Sequence, residues 1–244
     1  MEPWVAILLA AVALWAVRVA ILFRRGRSVR PAGKVPIRMM AVLGSGGHTA
    51  EMLALLKGLK TAVYTPRDYV IADTDHTSAQ RIETFEKARG ADASDFRLLR
   101  LPRSREVGQS YVSSVFTTLY ALVHAFGLVL RARPSLLLCN GPGTCIPLCA
   151  WAYGLRLLGI QHVTIVYVES ICRVHSVRAA ANRPVACART TATPLTPAPF
   201  ARLCCAAQLS LSGKILVHVA DEFLVQWPQL VAMYPKARYI GRVS

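Results

Sequence analysis

The chain opens on a block of apolar residues with no polar face, then settles into short apolar runs alternating with amphipathic stretches. Trp4 to Phe23 reads WVAILLAAVALWAVRVAILF, with one charge in its length. At about 1.5 Å per residue, a helix of that length spans the ~30 Å hydrocarbon core of a bilayer once. A buried core helix is the alternative; with Trp4, Trp15 and apolar residues all around, the run leaves no polar face, and a membrane span is the preferred reading. Arg18 is the single blemish, near enough to the second end of the run to snorkel to the headgroups. Glu2 is the only charge ahead of the run, whereas Arg24, Arg25, Arg27 and Arg30 crowd behind it. A secretory signal would show the reverse order. The positive-inside rule therefore predicts a lumenal N-terminus (1–3), a transmembrane helix (4–23) and a cytosolic remainder. Residues 24–36, basic and broken by Pro31, Gly33 and Pro36, read as a juxtamembrane linker.

Beyond Pro36 the pattern alternates. Met39 to Leu43 reads as a strand, Thr49 to Leu59 as a helix with apolar residues at Met52, Leu53, Leu55, Leu56 and Leu59, and Tyr69 to Ala72 as a strand. Asp73, Thr74, Asp75 and Thr77 offer N-caps for a helix over roughly Ser78 to Ala88. A strand at Phe96 to Leu101, a helix from about Ser110 to Arg131, a strand at Leu136 to Cys139 and a helix through Leu158 follow. His162 to Val168 is the most β-branched run and predicts a strand buried on both faces. Phe223 to Gln226 reads as a strand and Pro228 to Met233 as a short helix. Strands alternating with helices predict an α/β fold, a Rossmann-like parallel sheet behind one transmembrane helix. Right-handed crossovers then bring the C-terminal ends of the strands to one edge, where such folds bind ligands. Three candidate loops fall on that edge: Gly44 to Thr49, Asn140 to Thr144, and Glu169 to Arg173.

Charge narrows the ligand. In 244 residues, Lys and Arg number 29 against 13 Asp and Glu, a formal charge of +16, while 54% of the residues are hydrophobic. That pairing suits a membrane surface or a polyanionic ligand. Nucleic acid would call for Lys and Arg clustered on one element with interleaved aromatics, and no stretch shows it. The seven cysteines form no CxxC knuckles, and Cys204 adjoins Cys205; neither a zinc site nor a disulfide framework is implied, and reduced thiols on the cytosolic side are expected.

The stretch AVLGSGGHTAEML, residues 41–53, carries the chemistry. Gly44, Gly46 and Gly47 let backbone amides close on an anion, and the helix that follows adds partial positive charge at its N-terminus. The loop lacks the Lys-Ser/Thr ending of a P-loop, and Thr49 breaks the dinucleotide glycine spacing. Taken alone it is a phosphate cradle or simply a tight turn. His48 can pack, cap, donate to a phosphate or act as a base.

GSGGH after the first strand, NGPGT after a later one and the strand ending VYVES are similar to the glycine loops in the N-terminal, acceptor-binding half of GT-B glycosyltransferases, including the bacterial enzyme that adds GlcNAc to a lipid-diphosphate sugar. With TPRDYVIADTD, PRSREV, CNGPGTC, YVESICRV, SGKIL, FLVQWP and the N-terminal anchor, the chain resembles the asparagine-linked glycosylation protein 14 family. The resemblance implies the membrane-bound half of a split enzyme. In it asparagine-linked glycosylation protein 13 supplies the UDP-GlcNAc-binding half, and the pair adds the second GlcNAc to GlcNAc-diphosphate-dolichol on the cytosolic face of the endoplasmic reticulum. The enzyme that makes GlcNAc-diphosphate-dolichol is a further expected partner. No cofactor, metal or nucleic acid is implied, and no activity is expected without the partner.

On this reading Gly44, Ser45, Gly46, Gly47, His48 and Thr49 face the acceptor diphosphate, with Asn140, Gly141, Pro142, Gly143, Thr144 and Ser170 beside them. His48 or Glu169 accepts the proton from the attacking hydroxyl; Glu169 could equally cap a helix or pair with Arg173. Arg103 and Arg105 contact diphosphate or lipid, or form a solvated basic turn. Trp227, Tyr234, Tyr239, Arg242 and Val243 form the partner interface, although core packing is the commoner fate of such aromatics. The acceptor-binding domain is assigned to 37–174 and 209–244. Residues 175–208, with four prolines and no acidic residue, carry no sustained period and read as an unstructured insertion, a retained intron or a gene-model error. Two rival functions stand: a purely structural membrane scaffold, and a self-sufficient nucleotide-binding enzyme.

Overall fold

In the computed structural model, which describes residues 2–24, 36–92, 94–103, 111–141, 143–170 and 209–243, the short apolar runs become strands β1 (Met39–Val42), β2 (Arg67–Ala72), β3 (Phe96–Leu101), β4 (Leu136–Asn140), β5 (Thr164–Val168), β6 (Glu222–Val225) and β7 (Ala237–Tyr239). Between and before them lie α1 (Pro3–Arg24), α2 (Gly47–Lys57), α3 (His76–Ala88), α4 (Tyr111–Ala132), α5 (Cys145–Leu158), α6 (Leu211–Val219) and α7 (Pro228–Met233). The strands form one sheet of order β3-β2-β1-β4-β5-β6-β7. Every neighbouring pair is parallel, as the strand-helix alternation predicts.

The order turns around between β1 and β4. From β1 the chain builds outward through β2 to β3, then returns to the other flank of β1 and builds through β4, β5, β6 and β7. Such a switch leaves a crevice above the C-terminal ends of the two strands, because their outgoing loops part to opposite sides. Register sharpens the point. Val42 lies level with Cys139, and Cys139 with Tyr167, so the loops after β1, β4 and β5 leave the sheet at nearly the same height.

Alternation along β1 divides the core. Met40 and Val42 join the layer under α4, α5 and α6, with Val129, Leu148, Leu216 and Phe223. Met39, Ala41 and Leu43 join the layer under α2 and α3, with Met52, Leu56 and Ile82. Opposite-facing neighbours in one strand, both fully buried, are what a sheet covered on both faces requires.

Several boundaries differ from expectation. α2 begins at Gly47 rather than Thr49, because Gly46 takes φ 68° and turns the chain directly into the helix. β5 begins at Thr164 rather than His162, and β2 extends back to Arg67. α6 and β7 are additions: SGKIL is too short to show helical periodicity, and β7 has three residues. α1 runs Pro3–Arg24 and touches α5. Of the basic linker, 25–35 lies outside the described residues, as does all of 175–208.

Candidate functional site

The three candidate loops meet. Gly141 takes φ +66°, and a Cβ built on it would stand 2.6 Å from His48 Cε1, 2.8 Å from His48 Nδ1 and 3.2 Å from Ser170 Cβ. The imidazole from the first loop therefore lies against the backbone of the second and beside the side chain of the third, at the crevice between β1 and β4. Only glycine tolerates both that φ and that contact. Ser45, Gly46 and Gly47 are exposed at the tip, His48 is half-buried, and Ser170 is buried.

Asn140 locks the first two loops together. Its Nδ2 donates to the carbonyl of His48 at 3.3 Å and to Glu51 Oε2 at 3.1 Å, with the residue wholly buried. Among the described residues its Oδ1 has no hydrogen-bond partner, and neither does the buried hydroxyl of Thr144. An unmet buried acceptor and hydroxyl within one loop are costly unless something supplies partners, and sugar or phosphate oxygens carry both roles. The helix that follows the first loop fits the same occupant. α2 starts at Gly47 with Gly46 before it and no side-chain cap, which leaves its first amides without intrahelical partners at the crevice. α5 differs: the Ile146 amide donates to the Gly143 carbonyl at 3.1 Å, and Pro147 has no N–H. By contrast Asp75 caps α3, its carboxylate accepting from the Ser78 amide, and Ser210 caps α6.

Thr49 departs from the expected role. It is fully buried, and its hydroxyl donates to the Gly44 carbonyl and lies 2.6 Å from Ser78 Oγ, which in turn donates to Asp75. The hydroxyl closes the glycine loop and ties it to α3, so Thr49 shapes the cradle from beneath. Arg81, which no sequence motif singles out, reaches over from α3 to the Gly46 carbonyl at 3.3 Å and adds a cation to the exposed tip.

Glu169 has an engaged carboxylate. Ser210 donates to it from its backbone amide and its hydroxyl, each at 3.2 Å, at the start of α6. A carboxylate there is favoured by the amide dipoles of the helix. Burial and the charge of Glu169 push the neighbouring Tyr167 phenol well above its ordinary range, and its hydroxyl lies 3.2 Å from Ser210 Oγ. The Glu169 carbonyl accepts from Gln226 Nε2 at 3.2 Å, and Gln226 Oε1 accepts from the Val243 amide at 2.9 Å. Gln226, fully buried and not among the candidate site residues, thus joins the site edge to the C-terminal segment.

That segment divides. Trp227 and Tyr234 pack against the core, whereas Tyr239 is 47% exposed. The exposed Arg242 guanidinium sits 4.6 Å above the Trp227 ring, a cation–π contact. Arg103, just past β3, has a buried Nε with no partner among the described residues. Arg105, Pro142 and Arg173 lie outside the described residues. Away from the crevice, Arg67 and Glu86 form a buried bidentate pair at 2.9 and 2.8 Å, and the Tyr69 hydroxyl also donates to Glu86. Of the thiols, Cys139, Cys145 and Cys149 are free and buried, and burial raises the pKa values of Cys139 and Cys145.

Comparison with known proteins gives a consistent set of relatives. A family model described as oligosaccharide biosynthesis protein Alg14 like matches residues 39–182 and 201–243. The unmatched residues 183–200 fall inside the segment read as an insertion. The chain is 46% identical to the UDP-N-acetylglucosamine transferase subunit ALG14 of Rattus norvegicus, over 96% of this chain and 92% of that one. It is 44% identical to the subunit of the same name from Homo sapiens, over 98% and 99%, and 38% identical to that of Yarrowia lipolytica, over 89% and 86%. Among solved structures, Acinetobacter baumannii MurG aligns with a TM-score of 0.49 at 13% identity, over 84% of this chain and 45% of that one.

Proposed function

The chain belongs to the Alg14-like family of oligosaccharide biosynthesis proteins, and from that premise we propose that it is the membrane-anchored subunit of the UDP-N-acetylglucosamine transferase that adds the second GlcNAc to GlcNAc-diphosphate-dolichol. It forms the acceptor-binding half of a GT-B enzyme at the cytosolic face of the endoplasmic reticulum. Asparagine-linked glycosylation protein 13 binds UDP-GlcNAc and completes the active site. The N-terminal helix α1, 22 residues and about 33 Å long, holds the chain in the membrane.

The observation that carries this reading is the packing of His48 against Gly141 and Ser170, at a switch point where the uncapped N-terminus of α2 opens. The α2 amides and the exposed glycines take the acceptor diphosphate, with Arg81 adding charge from the side. Asn140 Oδ1 and the Thr144 hydroxyl take polar groups of the first sugar or its phosphate. In transfer, an acceptor hydroxyl attacks the anomeric carbon of the donor sugar; the bond to the UDP oxygen breaks, and the hydroxyl proton passes to His48. Glu169, engaged by Ser210, acts as a positioning residue that holds the third loop. The partner docks at the C-terminal segment around Tyr239 and Arg242.

Reconstitution tests the division of labour. The full chain in vesicles, with and without the partner subunit, is assayed for transfer from UDP-GlcNAc to a lipid-diphosphate-GlcNAc acceptor. Transfer requiring both chains is the expected result, and transfer by this chain alone would overturn it. His48→Ala separates the acceptor role from a scaffold: transfer falls while partner capture persists, whereas unchanged transfer favours the scaffold.

A further inference from the structure

One helix layer is apolar on its outside and the other is not. Among the described residues, the large hydrophobic side chains left exposed lie on α1, α4, the end of α5 and Ile160 just past it, α6 and the stretch Val231 to Tyr239; none lies on α2 or α3. On α4 they form a stripe. Val115 is 64% exposed, Phe116 70%, Leu119 57%, Tyr120 58%, Val123 64% and Phe126 36%. Their spacing sets them on one face of the helix. A groove of about 330 Å³ runs along its border, lined by Ser114, Val115, Thr118, Leu119 and Leu122. The hydroxyls of Thr117 and Thr118 are turned back onto the Ser114 carbonyl, at 3.2 and 2.6 Å.

The opposite face of α4 is core. Ala121, Ala125 and Val129 are fully buried and the Trp151 indole donates to the Leu122 carbonyl at 2.7 Å, while Phe126, at the border of the stripe, packs on the Trp151 ring. Ser113–Ala132 is long and apolar enough to cross a membrane, yet inserting it would strip that core. The stripe itself, Val115 to Phe126, covers eleven residue steps, about 17 Å, roughly half of the ~30 Å hydrocarbon core. A helix polar enough to fold on its domain, apolar on its outer face and too short in its apolar reach to span lies in the plane of the interface.

We propose that α4 is a second membrane contact, lying in the plane of the bilayer with Phe116, Leu119, Tyr120 and Val123 in its hydrocarbon. Three features favour lipid as the occupant. The apolar, exposed α1 touches α5, the helix on which α4 also rests, so the anchor and the stripe adjoin the same helix. The chain carries a formal charge of +16, which suits anionic headgroups. And α4 follows β3, whose C-terminal end lies on the site edge, so the contact holds that edge at headgroup height, where a lipid-linked diphosphate would lie. This last point rests on the acceptor reading above; the contact itself does not.

The test uses the full chain in vesicles of phosphatidylcholine and phosphatidylserine, with a photo-reactive phenylalanine analogue placed singly at Phe116, Leu119, Val123, Trp15, Glu83 or Lys87. Lipid adducts at the three α4 positions and at Trp15, with none at the α3 positions Glu83 and Lys87, are the expected result. Adducts at Trp15 without adducts on α4 would overturn the proposal and leave the anchored-subunit reading intact. Adducts on α4 to a second protein chain instead of lipid would also overturn it. The exposed double variant Phe116→Glu, Val123→Glu gives the functional readout. With the partner subunit present, transfer to an acceptor embedded in vesicles falls severalfold, while transfer to the same headgroup on a short soluble chain is unchanged. An equal loss on both acceptors would speak against a membrane contact.

Discussion

Replacing Gly141 by alanine perturbs the crevice through one methyl group. The position has φ +66°, where alanine costs about 1 to 2 kcal/mol relative to glycine. The new Cβ would stand 2.6 Å from His48 Cε1 and 2.8 Å from Nδ1, whereas carbon atoms in ordinary contact sit roughly 3.5 to 4.0 Å apart. The imidazole must therefore retreat by about 1 Å, since the methyl is fixed to backbone at the end of β4 and cannot move instead. For a group that must meet a reacting proton, a displacement of that size lowers turnover by on the order of a hundredfold, equivalent to about 2.7 kcal/mol of barrier. The stability cost is smaller in its consequence: for a domain of this size the backbone strain lowers Tm by roughly 2 to 8 °C, which leaves the protein folded at 25 °C. The assay is GlcNAc transfer by the reconstituted pair, with thermal unfolding and partner capture measured on the same preparation. Gly58→Ala, at the far end of α2, is the control, because among the described residues nothing lies within 4 Å of its Cβ and its φ is −80°; it should transfer at close to the native rate. A Gly141→Ala chain that folds, captures the partner and transfers within a few-fold of the native rate would refute the role given to His48.

Two further substitutions probe what holds the crevice in place. Glu86→Gln removes the charge facing Arg67, where the two side chains are 0% and 2% exposed; breaking such a pair costs about 3 to 5 kcal/mol and should lower Tm by roughly 6 to 20 °C, with Arg67→Met, Glu86→Met recovering much of the loss. Gln226→Leu leaves the buried Glu169 carbonyl without its Gln226 donor and releases the Val243 amide, costing about 1 to 3 kcal/mol; titration with the partner subunit should show weaker binding, and unchanged affinity would separate the C-terminal segment from the interface. Cys139 and Cys145, buried and with thiol pKa values raised by that burial, should resist iodoacetamide in the native protein at pH 8 and react after denaturation, as mass spectrometry of the two peptides reports.

Much of the architecture was legible along the chain because it follows from local physics. Apolar runs bounded by turn residues mark strands, a 3.6-residue period marks α4, and Gly46 and Gly141 stand where the backbone needs positive φ. The Pro228 helix start and the Leu158 helix end follow from residue type at a terminus. The same locality explains what was missed. α6 spans nine residues and its cap partner Glu169 lies 41 residues upstream, so the SGKIL stretch carries little sign of its own fold.

The sequence by itself determined that glycine-rich turns would follow strands, that those turns would share one edge of a parallel sheet, and that an apolar helix would precede them. Tertiary structure decided which turns become neighbours and what each side chain does there. Placing β4 beside β1 brings Gly141 against His48, 93 positions apart in the chain, and joins Asn140 to Glu51. It also turns Thr49 inward to Ser78, engages Glu169 with Ser210 and leaves one face of α4 uncovered. The physical reason is that backbone preference depends on a residue and its near neighbours, whereas burial, hydrogen-bond partners and exposure depend on the order in which strands pair, which no short stretch of chain contains.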